Sequence, residues 1–342
     1  MAQSTPSVDE WRNLYEAAKR IKELAPWQWM EETDIFGVQN PETGELGFVS
    51  VMGTLGEHFA IAVYLGQEGI YGFWGLQVED VDAYPERVLE VPQLQASFED
   101  RSELEEKDRA VIKQLGLKFR GQHAYPMFRS IQPGFVPWFL TAKEARFLTH
   151  ALEQTMEIAT QFKDNRSLFE DPNEERYLVR IPQQEKNQIS WQNQVLPVPP
   201  PEPLSVPISM DMESLEELEK LPLSNLIIEV DFFMLPTPIR EKGQKPYYPY
   251  MLLIAETNNG MIIGTELFKP EPDLTSMWGM IPAQVATQLA HIGVAPKEIA
   301  VRSDLVCQLL EPMATALNIK LKEKRVLHSI DQAKQALLQS FM

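Results

Sequence analysis

Residues 224–238 read SNLIIEVDFFMLPTP, an apolar run with two acids set into it. Its Ile, Val and Phe content and its bounding Ser, Asn and Pro predict a buried strand. Side chains alternate along a strand, so Glu229 and Asp231 share a face with Ile227 and Phe233. Leu226, Ile228, Val230 and Phe232 point the other way. Two neighbouring acids on one sheet face suit either a bound metal or a solvated edge, and the sequence leaves both readings open.

Downstream, YMLLIAET (250–257) and GMIIGTELF (260–268) predict two further strands. They are joined through Asn258-Asn259-Gly260, a hairpin signal because Asn and Gly accept positive φ. A helix is expected in SMWGMIPAQVATQLAHIG (276–293), starting near Pro282 and closing at Gly293. EIAVRS (298–303) predicts a fourth strand, DLVCQLLEPMATALN (304–318) a helix, IKLKEKR (319–325) a fifth strand and SIDQAKQALLQSF (329–341) a last helix. The order is β-β-β-α-β-α-β-α.

Upstream, VLPVPPPEPLSVP (195–207) holds six prolines in thirteen positions and predicts a semi-rigid spacer. MDMESLEELEKLP (210–222) predicts a short acidic helix that completes the connection. The expected organisation is an acidic N-terminal domain over 1–194, a connection over 195–222 and a second domain over 223–342. In the first domain Val8, Trp11, Leu14, Tyr15, Ala18 and Ile21 recur at helical spacing up to Pro26, which cannot continue the helix. FGVQNPETGELGFVSVMG (36–53) predicts a hairpin, and HFAIAVYLG (58–66), LQASFED (94–100), AYPMFRSI (124–131), RYLVRIP (176–182) and QISWQNQVLP (188–197) predict strands. Ser102 with Glu105 is expected to open a helix that closes at Gly116, and Thr141 with Glu144 to open a longer one. Strands and helices mix without strict βαβ alternation, so both domains are expected to be α+β. Gly66, Gly69, Gly72 and Gly75 stand three apart and predict close backbone packing or a glycine-rich loop.

The 342 residues carry a net charge of −18, distributed as −17 over 1–223 and −1 over 224–342. An acidic N-terminal half repels a phosphate backbone and argues against nucleic acid as its partner. No apolar run reaches the eighteen residues of a membrane helix. The N-terminus lacks the basic and apolar regions of a signal peptide. One cysteine, Cys307, fits a reducing cytoplasm and excludes internal disulfides. Within an apolar helix it reads as a structural thiol. His58, His123, His150, His291 and His328 show no metal-ligand spacing, and neither a phosphate-binding loop nor a nucleophile elbow occurs. No cofactor is expected.

The C-terminal order, with Asp231 on the first strand and Asp304 after the fourth, resembles the ribonuclease H-like fold of nucleases and integrases. That resemblance implies two divalent ions held by acids on the first strand, at the end of the fourth and on a later element. Asp231 takes the first position and Asp304, ending VRSD, the second, while Asp331, Glu256 and Glu266 compete for the third. Ser303 or Asp304 also fits a helix N-cap. More broadly, LAPWQWMEETDIFGVQNPETGELGFVSVMGTLGEHFAIAVYLGQEG (24–69) and PKEIAVRSDLVCQLLEPMATALNIKLK (296–322) resemble an uncharacterised bacterial family of two tandem domains of unknown function. The leading expectation is a cytoplasmic, non-catalytic interaction or regulatory module with a protein partner. The alternative is a metal-dependent nuclease or phosphoryl-transfer enzyme using the C-terminal carboxylates.

Overall fold

Ser7 and Glu10 exchange backbone-to-side-chain bonds in a capping box, which sets the start of the first helix, α1 (Val8–Leu24). Its apolar stripe buries Leu14, Ala18 and Ile21, and Ala25 ends it in the left-handed region before Pro26. The computed structural model describes residues 4–78, 85–169, 176–185, 188–202, 205–242 and 244–340. These fall into two compact units, Met1–Pro133 with Pro137–Glu202, and Gly134–Val136 with Pro203–Met342. Both are mixed α+β.

The first unit is built on β1 (Phe36–Gln39), β2 (Leu46–Met52), β3 (Ala60–Leu65), β4 (Gln93–Glu99), β5 (Tyr125–Ile131), β6 (Arg176–Glu185) and β7 (Gln188–Pro197). The sheet order is β5-β4-β3-β2-β1-β6-β7, antiparallel except where β1 meets β6. Val49, Val51, Ile61 and Val63 turn to one face, where α1 and α4 (Ala142–Asp164) supply Leu14, Ile21, Leu148 and Leu152. Phe48, Ala62 and Tyr64 turn to the other, against Ile70 and Phe73 of α2 (Gly66–Val78). Thr141 and Glu144 form the capping box expected for α4.

The glycine-spaced segment is helical, and two of its four glycines, Gly69 and Gly72, pack closely, while Gly66 and Gly75 face open space. A Cβ on Gly69 would stand 2.7 Å from the Tyr64 carbonyl carbon, and one on Gly72 would stand 2.9 Å from a Val91 methyl. The helix α3 (Glu106–Gln114) departs from expectation. Glu105, not Ser102, is its N-cap, because Asp108 accepts the Glu105 amide at 2.9 Å.

In the second unit, β8 (Ile227–Met234), β9 (Tyr250–Glu256), β10 (Ile262–Phe268), β11 (Glu298–Val301) and β12 (Lys320–Glu323) form one sheet of order β10-β9-β8-β11-β12. β8 pairs antiparallel with β9, β9 antiparallel with β10, and β8, β11 and β12 run parallel. Ile228, Val230, Leu252, Ile254, Ile299 and Val301 form one face, against α7 (Ile281–His291) and α8 (Asp304–Ala316). Leu253, Ala255 and Ala300 form the other, against Leu327 and Ile330 at the start of α9 (His328–Ser340). The helix expected to start near Pro282 and close at Gly293 is α7, with Pro282 in its first turn, and a short helix that was not expected, α6 (Leu274–Gly279), precedes it.

Within 195–222, expected to be a spacer and a short helix, several described residues pack into the cores of the units. The start of this stretch belongs to β7, and Val198 is buried with its carbonyl accepting the Tyr71 hydroxyl at 3.0 Å. Val206, Ile208 and Met210 pack on the core of the second unit, where the Ser209 amide donates to the Gly279 carbonyl at 2.8 Å. The helix expected to complete the connection, α5 (Met212–Glu219), buries Leu215 and Leu218 in that core. Its cap Asp211 also accepts the Thr287 hydroxyl of α7 at 3.0 Å. Apolar residues between the prolines give each half something to bury, so stiffness does not make the segment free.

Candidate functional site

The two acids of β8 lie on the central strand of the five-stranded sheet, beneath α9. The solvated-edge reading therefore fails: Glu229 is 2% exposed and Asp231 6%. A buried carboxylate requires compensation, and each acid finds a different kind.

Glu229 is taken up by the start of α9. Its Oε2 accepts the backbone N–H of Ser329 at 2.8 Å and of Ile330 at 3.1 Å. Free N–H groups and the helix dipole make a helix N-terminus a site for negative charge. The Ser329 hydroxyl donates to the Glu256 carbonyl at 3.1 Å and fixes the same turn to β9. Glu229 thus caps a helix a hundred residues downstream, and this capped turn carries Leu327 and Ile330 into the sheet.

Asp231 is compensated by cations. Oδ2 lies 3.6 Å from Nη2 of Arg302, and the Phe232 N–H donates to Oδ1 at 3.1 Å. The same Arg302 nitrogen binds Asp331 of α9, so one guanidinium holds two carboxylates. Lys334 of α9 sets its ammonium 4.4 Å above the Phe233 ring and adds a second positive charge. Burial pushes the Asp231 carboxyl above the usual range, and Asp331 adds to that, while Arg302, Lys334 and the Phe232 amide pull it back only in part.

A raised pKa means that the folded state binds the Asp231 proton more tightly than the unfolded chain does. Stability from this group is then present below its unfolded pKa and is lost as pH rises through the folded pKa. Asp231→Asn is expected to remove that falling limb and to leave stability at pH 7 unchanged or higher. Urea denaturation of both proteins across the acid range measures this. Parallel pH profiles for the two proteins would contradict it.

The remaining acids do not converge on Asp231. Asp304 is the first residue of α8 and accepts the Gln308 amide of its own helix at 2.9 Å. Ser303 occupies the N-cap position, without a side-chain cap bond. The Glu256 carboxylate meets the Asn258 amide at 3.4 Å, and Glu266 is exposed on β10. Of these candidates Asp331 alone joins Asp231, and it does so across Arg302. Among the described residues, no three His, Cys, Asp or Glu side chains are placed to share a metal ion. The donor set does not fit a pair of divalent ions, because a fixed cation already stands between the two acids that approach each other.

Arg302 is the functional residue that sequence reasoning missed, although it lies within the VRSD read for its aspartate. The parallel register pairs Ala300 with Glu229 and Val301 with Val230. One step further sets Arg302 level with Asp231. Pairing partners across two strands, not spacing along one, carried that signal. Burial, followed by nearby acids, raises the pKa of the half-buried Cys307 thiol, as a structural role requires. Elsewhere, a 290 Å³ groove opens between α1 and α4, lined by Glu10, Glu16, Arg20, Arg146, His150 and Glu153. Its Arg146 is engaged by Glu10 and Glu42.

Residues 11–180 match the family DUF7309, a domain of unknown function, and residues 214–338 match a second, DUF6930. The chain is a tandem of these two domains. No curated protein matches it.

Proposed function

We propose that the second unit is a ribonuclease H-like domain whose acidic position has become an internal ion pair. The protein is then a non-catalytic interaction or regulatory module of the bacterial cytoplasm. The strand order β10-β9-β8-β11-β12, with two antiparallel and two parallel pairings, supports the fold reading. One observation carries the loss of catalysis: Arg302 binds both Asp231 and Asp331. A guanidinium supplies fixed charge but neither a Lewis-acid centre nor an exchangeable water, so this arrangement orders α9 and activates nothing. The acidic balance over 1–223 favours a protein partner over nucleic acid for the first unit. Among the described residues no helix is long and apolar enough to cross a membrane.

A divalent ion that binds only the folded state raises the melting temperature, by an amount that grows with the logarithm of its concentration once that exceeds Kd. The parent, Asp231→Asn and Asp304→Asn are all expected to melt at temperatures indifferent to millimolar Mg²⁺ or Mn²⁺. The parent is also expected to leave single- and double-stranded DNA and RNA intact under the same conditions. A metal-dependent rise that both substitutions abolish, together with metal-dependent cleavage, would replace this reading with a nuclease.

A further inference from the structure

Four strands end the two sheets, and three of them are guarded. Sheet edges present unpaired N–H and C=O groups, and proteins blunt them with charge, proline, bulges or cover. β12 has Lys320, Lys322 and Glu323 among its four residues. β10 carries Glu266 and an irregular register between Ile262 and Gly264. β5 contains Pro126 and Arg129, and its Ser130 is bridged from outside by Trp138. β7 has none of these along its middle. Its ten residues, QISWQNQVLP, contain no Asp, Glu, Lys or Arg, and their one proline is the last of them. Among the described residues β7 pairs only with β6, in a regular register along its whole length.

We propose that β7 is a self-association edge, at which two copies of this chain pair antiparallel about a two-fold axis. Backbone groups alternate in direction along a strand, so directly opposed residues must share parity, and a two-fold pairing of identical strands centres on a residue. Centring on Gln192 sets Ile189 opposite Val195 of the second copy, and Trp191 opposite Asn193. Ile189 and Val195 are exposed to 40% and 39%, lie equally far from Gln192 and belong to the same sheet face. In this register the two exposed apolar residues of the edge cover each other twice over, once on each side of the axis. No like charges meet anywhere along it, because the strand has none. The pairing makes a fourteen-stranded sheet from two seven-stranded ones. It is independent of whether the second unit is catalytic.

Gln192 is exposed, so its substitution tests the axis without disturbing a core. The full chain is expected to run at twice its monomer mass by light scattering after gel filtration at micromolar concentration. Gln192→Lys and Gln192→Glu each place like charges face to face at the axis and are expected to be monomers, with far-UV spectra and melting curves of folded protein. Mixed in equal amounts, the two variants are expected to recover the dimer, since an ammonium on one copy then faces a carboxylate on the other. A monomeric parent overturns the proposal, whether or not another partner uses the edge. So does a parental dimer that survives both substitutions, or a mixture of the folded variants that stays monomeric.

Discussion

Arg129→Met is expected to destabilise the first unit by about 3–5 kcal/mol, the usual consequence of breaking a buried ion pair from one side. Arg129 of β5 and Asp108 of α3 are joined through both terminal guanidinium nitrogens, Nη1 to Oδ1 at 2.9 Å and Nη2 to Oδ2 at 2.7 Å. Both side chains are more than nine-tenths buried. Asp108 also accepts the Glu105 amide that starts α3, and Arg129 lies 4.7 Å from the centre of the Phe139 ring. The pair therefore fastens a short helix to the sheet edge and neutralises a charge that water cannot reach. Methionine keeps the length of the stem and strands the carboxylate. Adding Asp108→Asn to Arg129→Met is expected to recover part of the loss, because a neutral amide tolerates burial better than an unpaired anion. Urea denaturation of the parent, both single variants and the double variant measures the coupling directly. A single-variant cost below about 1 kcal/mol, the range of exposed pairs, would sink the argument.

Glu229→Ala is expected to cost about 3 kcal/mol and to loosen α9 before the rest of its unit. Two N–H groups lose their shared acceptor, at about 1–3 kcal/mol for each buried group left unsatisfied. The helix also loses a negative charge at its positive end, worth about 0.3–1 kcal/mol. Glu229→Gln keeps an acceptor of the same length and is expected to lose much less. Hydrogen exchange should show the amides of α9 opening at lower free energy than those of β8 in the alanine variant. If the alanine variant melts with the parent, or if glutamine is as damaging as alanine, capping is not what Glu229 does.

Both predictions concern charged residues whose roles could not be read along the chain. Arg129 sits in AYPMFRSI, where the strand is plain but the partner is a helix twenty-one residues upstream. Glu229 and Asp231 share a strand face as alternation requires, yet one meets backbone amides and the other a guanidinium. Nothing in IIEVDFF separates them, because the difference arises from which element crosses that face and at what height. The acids that the ribonuclease H-like resemblance implies as metal ligands stay apart for the same reason: Asp304 begins a helix that carries its carboxylate to Gln308, while the register brings Arg302 level with Asp231.

What the chain determines by itself is everything set within a few residues. The capping boxes at Ser7 and Thr141 start their helices where the spacing requires, since donor and acceptor are three residues apart. The β8, β9 and β10 strands follow from apolar runs broken by turn chemistry, and the helix-strand alternation after them follows from period and length. Tertiary structure decided the rest. It moved the α3 cap to Glu105 because Asp108 had a buried arginine to meet, and it packed Val198 and Val206, beside the prolines, against cores. It also turned two acids that resemble a metal site into a helix cap and an ion pair. Local signals survive because their energies are local, whereas a buried charge takes its meaning from whatever long-range packing places beside it.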